Sequence, residues 1–287
     1  MGMEKSRYIF KFYYIGSKRY HGSQRQPDYL TVEECLLNAL KEREYIKDEK
    51  KSGFEVASRT DKYVSARGST FSILTEKLPI LMEINTALPK KIGIWAYSEV
   101  SRDFFSRYNA LYRHYKYIVP YSPILRRKIT SHNLNEMIRA CKSFEGSHDF
   151  RNFSKREKEN EKTTRDIILT SLTLENDFLI FDFKSRAFLR QQIRRMVAKI
   201  FELGFEIINF EEFLDLFNPS KTYSYQPADP LGLILWDINY GKKIKFTVDD
   251  KSKERMNKFF LQQEIKFSTK QKLFSLMQHN NISEKGL

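Results

Sequence analysis

The residues with the clearest capacity for chemistry are Ser58-Arg59-Thr60-Asp61-Lys62-Tyr63-Val64-Ser65-Ala66. A carboxylate stands there between two cations, in a stretch that reads as a turn leaving a strand. Nearby positive charge favours the ionised form of an acid, so Asp61 is placed to stay a carboxylate. On spacing alone, an ordinary loop salt bridge is the favoured reading of the same residues. His148-Asp149 invites a base-and-orienter reading, but neighbours on one chain rarely converge on one nucleophile. Tyr115 lies in an alternating run that also suits a half-buried strand, and Arg190, Arg194 and Arg195 also suit a solvated helix face. Cys35 and Cys141 form no C-x-x-C pair, which argues against a disulfide scaffold or a Cys-based zinc site and points to a reducing interior. The five histidines are scattered, and neither a P-loop nor a G-x-G-x-x-G pattern is present.

These groups sit in a chain of 287 residues carrying 50 Lys or Arg against 36 Asp or Glu, a formal charge of +14. Such an excess fits nucleic acid, an anionic membrane surface or plain solubility. Nucleic acid leads, because 14% of the residues are aromatic and no membrane-seeking helix accompanies the charge. No run approaches the roughly 18 apolar residues of a membrane helix. The alternating start, with Lys5, Arg7 and Lys11, does not resemble a secretory leader. Met1-Gly2-Met3-Glu4-Lys5-Ser6 fits the myristoylation pattern, with no second anchor after it.

Tyr8, Phe10, Phe12 and Tyr14 recur at period two and predict a strand over 7–15. Thr31 with Glu34 predicts a capped helix whose apolar stripe is Val32, Cys35, Leu36, Ala39 and Leu40. Strands are expected over 54–58, 71–74 and 92–100, with a helix over 80–88. A second set follows: a strand over 112–119, a helix over 134–144, and a hairpin of 167–174 with 178–183 turning at Asn176-Asp177. A helix over 188–204 and a strand over 231–240 close it. The charged stretch 151–165 reads as a mobile loop. From Gly241 onward, eleven Lys or Arg face five Asp or Glu, and the apolar residues suit short amphipathic helices. That tail reads equally as a solvated appendage or an RNA-gripping arm. The pattern predicts two α+β halves, 1–104 and 105–240, followed by a basic helical tail over 241–287.

Tyr14-Ile15-Gly16, Tyr20-His21-Gly22-Ser23-Gln24-Arg25-Gln26 and Thr31-Val32-Glu33-Glu34 resemble the opening of the TruA-type tRNA pseudouridine synthases. Arg59-Thr60-Asp61 stands where that family carries its R-T-D motif. Asn85-Thr86-Ala87-Leu88-Pro89 with Glu99-Val100, then Phe104 to Arg107 with Arg113-His114-Tyr115-Lys116-Tyr117-Ile118, are similar to its next segments. His148-Asp149-Phe150, Phe188-Leu189 with Ile193-Arg194, Glu202-Leu203-Gly204 and Gly232-Leu233 follow in the family's order, over roughly 8–240.

The resemblance implies two ferredoxin-like halves sharing a long antiparallel sheet, with helices on one face and the active-site cleft between the halves. It implies isomerisation of uridine to pseudouridine in the anticodon stem-loop of tRNA, without metal, ATP or redox cofactor. It assigns Asp61 the catalytic role, as a nucleophile at C1′ or as the base that removes the C2′ proton to make a glycal, and Tyr115 that of the active-site tyrosine. Arg194 becomes the basic partner of the aspartate, Arg59 the filler of the space left by the flipped nucleotide, and Leu233 an apolar wall against uracil. Arg107 is a candidate phosphate contact. A homodimer in the cytoplasm is also implied.

The sequence departs from the family pattern in four places. Ser58 and Tyr63 replace the usual glycines around R-T-D, Ser23 stands where Trp is common, and Ser65 where bacterial members have His. The rival readings are a non-catalytic RNA-binding protein on the same scaffold and a carboxylate-based nucleosidase. The latter needs a second positioned acid, and no paired-carboxylate motif accompanies Asp61.

Overall fold

The computed structural model describes residues 5–155 and 162–278. Residues 1–4 of the myristoylation pattern and residues 156–161 of the charged stretch lie outside the described residues.

The first half runs β1 (Ser6–Tyr14), α1 (Val32–Glu42), α2 (Glu49–Ser52), β2 (Glu55–Val56), β3 (Ser65–Thr75), α3 (Leu81–Ala87) and β4 (Ile92–Val100). The second runs β5 (Tyr112–Pro120), α4 (Pro123–Lys128), α5 (Ser131–Lys142), β6 (Gly146–Asp149), β7 (Thr164–Glu175), β8 (Phe178–Ser185), α6 (Gln192–Gly204), α7 (Phe210–Asp215) and β9 (Leu233–Asn239). After them come β10 (Thr247–Val248) and α8 (Asp250–Gln278). The strands order as β10-β4-β1-β3-β9-β5-β8-β7-β6, with β2 beside β3. With β6 set aside as an extra edge strand outside β7, each half places its last strand beside its first, then its third, then its second: β4-β1-β3-β2 and β9-β5-β8-β7. That is the ferredoxin-like order, repeated with no literal repeat in the sequence.

The halves meet along β3. Its C-terminal part pairs with β2, and its first residues pair with β9 through Ser65–Ile234 and Ala66–Leu235. This seam is parallel, while the other pairings are antiparallel. It aligns a row of registered residues across the sheet: Ile92, Tyr14, Ala66, Leu235, Tyr115 and Phe183. The loop 57–64 therefore emerges at the junction, two strands from Tyr115.

The expected elements form, with bounds set by local geometry. Thr31 caps α1 by accepting the Glu34 amide at 3.3 Å. Asn176 and Asp177 both take positive φ (46° and 67°), the primed-turn conformation that matches the twist of a two-residue hairpin. The helix expected from 188 begins only at Gln192, because Gln191 is left-handed at φ 59° and cannot continue it backwards. The stretch read as a mobile loop from 151 instead starts with a 3-10 turn that buries Asn152 and Phe153. Phe153 packs against Phe144 and Phe217 at 5.0 and 5.1 Å.

One buried apolar cluster runs through both halves, with Phe10, Phe12 and Phe71 in the first half and Phe144, Phe150 and Phe213 in the second. A smaller cluster holds Tyr13, Trp95, Ala96 and Met256. Tyr13 falls between Phe12 and Tyr14, so strand alternation turns it to the opposite sheet face. There α8 docks, with Phe260 and Phe259 at 5.0 and 6.1 Å from the Tyr13 ring. Among the described residues, the tail is thus β10 followed by one long helix, not several short ones, and that helix lies on the face away from the core. Leu261, Ile265, Phe267 and Leu273 beyond the docked turns are exposed.

Candidate active site

The loop between β2 and β3 is pinned from both halves. Within the first half, the Thr60 amide donates to Ser23 Oγ at 2.8 Å, and the Ser23 amide returns a bond to Thr60 O at 3.1 Å. Thr60 Oγ1 and Tyr14 Oη lie 2.7 Å apart. Burial drives the Tyr14 phenol far above its usual range, outweighing the Thr60 hydrogen bond. From the second half, Arg113 donates to Ala57 O at 2.9 Å and Arg107 O at 2.7 Å. Tyr115 Oη sits 2.9 Å from Ser58 Oγ.

Asp61 opens a turn closed by Val64 N on Asp61 O at 3.3 Å. Tyr63, at the third position, has φ 70°, where glycine is the usual occupant. Gly16 passes so close beneath that a Cβ there would stand 2.2 Å from Tyr63 O. The loop backbone is therefore held tightly, and with it the direction of the Asp61 side chain.

The cations flanking Asp61 in sequence are not its closest partners. Lys62 Nζ lies 3.1 Å from His21 Nε2, and Arg59 is exposed at the cleft, near enough to Glu33 to favour that group's ionisation. Asp61 Oδ2 instead accepts from Arg194 Nη1 at 2.7 Å. Arg194 is a buried residue of α6 whose Nε donates to Ala228 O at 2.8 Å, and its own carbonyl accepts the Ala228 amide at 3.0 Å. A guanidinium fixed along one edge presents the other to the carboxylate, which a single-headed lysine cannot do. The α6 stripe of Ile193, Met196, Val197 and Ile200 packs into the core and turns Arg194 to the loop.

Tyr115 is buried, with Phe188 edge-on at 5.4 Å. Burial raises its pKa, outweighing the hydrogen bond shared with Ser58. Leu233, at the start of β9, is 8% exposed. Asp61, Tyr115, Arg59, Arg194, Leu233 and Arg107 all line one cleft of about 1000 Å³. Eight Lys or Arg residues border it, against Glu33, Glu55 and Asp61. Burial raises the Glu33 carboxyl, outweighing the amide bond from Arg25.

Sequence reasoning left Arg113 without a role, although it opens the R-x-Y-x-Y-I run; its guanidinium ties the loop to the second half. It also treated Ser58 only as a departure, and serine carries no signal of a partner on a distant strand. His148 and Asp149 stand apart from the cleft. His148 Nε2 is 2.8 Å from Glu145 O, and Asp149 accepts the Arg151 amide at 2.8 Å, both local bonds at the sheet edge.

Residues 140–241 match a family model described as tRNA pseudouridine synthase. The chain is 37% identical over 256 residues to tRNA pseudouridine synthase A of Methanosphaera stadtmanae, covering 88% of this chain and 90% of that one. It is 34% identical over 278 residues to the protein of the same name in Archaeoglobus fulgidus, covering 96% and 99%. For Methanothermobacter thermautotrophicus the figures are 35% over 241 residues, 84% and 83%. On this likeness along most of its length, the chain belongs to the tRNA pseudouridine synthase family.

Proposed function

We propose that this enzyme isomerises uridine to pseudouridine in the anticodon stem-loop of tRNA, with Asp61 as nucleophile. The observation that carries this reading is the Asp61–Arg194 pair at 2.7 Å in the same basic cleft as Tyr115. With Oδ2 taken by Arg194, Oδ1 is the oxygen left to reach the ribose. Oδ1 attacks C1′ as the N1–C1′ bond breaks, and the uracil leaves as an anion stabilised by the surrounding cations. The freed base turns over against Leu233 and Tyr115, C5 bonds to C1′, and the carboxylate departs. Tyr115 relays the C5 proton, releasing its own as it accepts that one, and N1 takes one from water. Arg59 fills the gap left by the flipped nucleotide, offsetting part of the few kcal/mol that unstacking costs. Arg107, exposed at the rim, meets a phosphate.

Residues 1–104 and 105–240 act as the two halves that carry the cleft, with 241–287 as an appended tail. A cytoplasmic homodimer completes the proposal. No helix among the described residues is long and apolar enough to cross a membrane.

The test maps pseudouridine at nucleotide resolution on unmodified tRNA transcripts incubated with the protein. Product is expected in the anticodon stem-loop, lost in Asp61→Ala while tRNA binding persists. Unchanged modification by Asp61→Ala overturns the nucleophile, and no product from a full tRNA set leaves a binding protein on this scaffold. Release of free uracil would indicate a nucleosidase.

A further inference from the structure

We propose that Ser58 is a positioning residue for Tyr115, accepting the phenolic O–H so that a lone pair of Oη points into the cleft. This rests on the role given above to Tyr115. The two hydroxyls are 2.9 Å apart, one on the loop of the first half and the other on β5 of the second. Ser58 lies three residues before Asp61 and lines the same cleft. The glycine usual in the motif this loop resembles has no side chain to make this bond.

A tyrosine has one rotatable hydroxyl hydrogen, and its direction decides what the oxygen can accept. Phe188 closes over the Tyr115 ring at 5.4 Å and leaves the ring little freedom, so the hydroxyl rotor is the remaining variable. A bond donated to Ser58 Oγ fixes that rotor and turns the acceptor side toward the bound base. In the last step, the C5–H bond breaks and its proton goes to Tyr115 Oη. The proton already on Oη passes to Ser58 Oγ, and the Ser58 proton goes to water. The C5–H electron pair forms the C5=C6 bond, the C6=N1 pair moves to N1, and N1 takes a proton from water. Buried and stabilised as a phenol, Tyr115 can accept a proton only as it releases its own, which makes the serine an exit as well as a guide.

Single-turnover rates on tRNA transcripts made with ordinary and C5-deuterated uridine test this. Removing one hydrogen bond to the reacting group is expected to slow Ser58→Ala about tenfold. It should also raise the deuterium effect, because C5 deprotonation then limits the rate. Ser58→Thr, which keeps a hydroxyl, restores both, and tRNA affinity stays within about twofold throughout. A Ser58→Ala rate and isotope effect equal to wild type, with Tyr115→Phe slowed, overturns the Ser58 assignment alone. A slow Ser58→Ala with an unchanged isotope effect, not restored by threonine, also overturns it, since that is the signature of a packing defect. Tyr115→Phe at the wild-type rate and isotope effect overturns the role of Tyr115 and this proposal with it.

Discussion

Asp61 and Arg194 are 133 residues apart in sequence, and their 2.7 Å contact fixes the loop of the first half to a helix of the second. Replacing Arg194 with Met removes the charge, the contact to Asp61 and the bond to Ala228 O together. A hydrogen bond to a charged partner contributes about 1.5–3 kcal/mol and an exposed ion pair about 0.2–1 kcal/mol. The Asp61 side chain is 30% exposed and that of Arg194 10%, so the pair belongs between these limits, at about 1–2 kcal/mol. Denaturant unfolding of Arg194→Met, Asp61→Asn and the double variant measures that coupling directly. The Ala228 bond adds about 1 kcal/mol to the Arg194→Met loss, and it cancels in the cycle because Asp61→Asn leaves it intact. Arg194→Lys separates the two functions. One ammonium head cannot serve both acceptors, so this variant should lose about 1 kcal/mol of stability. It should also modify tRNA more slowly than wild type. A coupling below about 0.5 kcal/mol would refute the reasoning, because two groups held at this distance with a buried partner must sense one another.

Other expectations concern charge and backbone. Affinity for tRNA should fall with salt at a log–log slope of about −3 to −5, from the excess of cations bordering the cleft, and a flat dependence would contradict it. Burial raises the Asp182 carboxyl, but the hydrogen bonds from His114 and Lys116 outweigh it and hold it below the usual carboxylate range. A depressed carboxyl contributes stability above its unfolded pKa and loses it as pH falls through the folded one. The stability gap between wild type and Asp182→Asn should therefore be widest near neutrality and close under acid, which pH-dependent unfolding checks. Left-handed backbone costs Tyr63 about 1–2 kcal/mol, and glycine there would trade this relief against about 0.5–1 kcal/mol of chain entropy. Tyr63→Gly should thus stay within about 1 kcal/mol of wild type, while Tyr63→Val falls below it by about 1–2 kcal/mol in thermal unfolding.

Local signals were legible where side-chain period or turn chemistry decides the structure. The aromatic alternation of β1, the Thr31 cap and the Asn176-Asp177 turn each depend on residues within a few positions. The parallel seam was not legible, because it consists of two registered pairs whose strands lie about 170 residues apart. No period marks such a contact. The shortened start of α6 depends on one left-handed residue, Gln191, whose side chain gives no warning of it. In the cleft, Asp61 and Tyr115 were singled out through motif order. Local sequence placed two cations beside Asp61, yet its closest cation in space is Arg194, delivered by the fold.

The four departures from the family pattern divide into two kinds, and the division explains how the loop keeps its shape. Three are serines, and each hydroxyl makes a bond that ties the loop's surroundings together. Ser23 accepts the Thr60 amide at 2.8 Å, Ser58 meets Tyr115 at 2.9 Å, and Ser65 accepts the Gly16 amide at 3.1 Å. The amides of Thr60 and Gly16 would otherwise need water or another acceptor where Tyr14 and Tyr63 crowd the backbone. The fourth, Tyr63, runs against backbone preference and has the Lys62 ammonium over its ring at 5.4 Å. A left-handed tyrosine persists when the surrounding structure determines the backbone more strongly than the residue resists it. Here the bonds at Ser23 and Ser65, the closing Asp61–Val64 bond and the near contact of Gly16 supply that determination on both sides of the turn. The loop thus trades the freedom of glycine for fixed hydrogen bonds, and the same bonds hold Asp61 at the mouth of the cleft opposite Arg194.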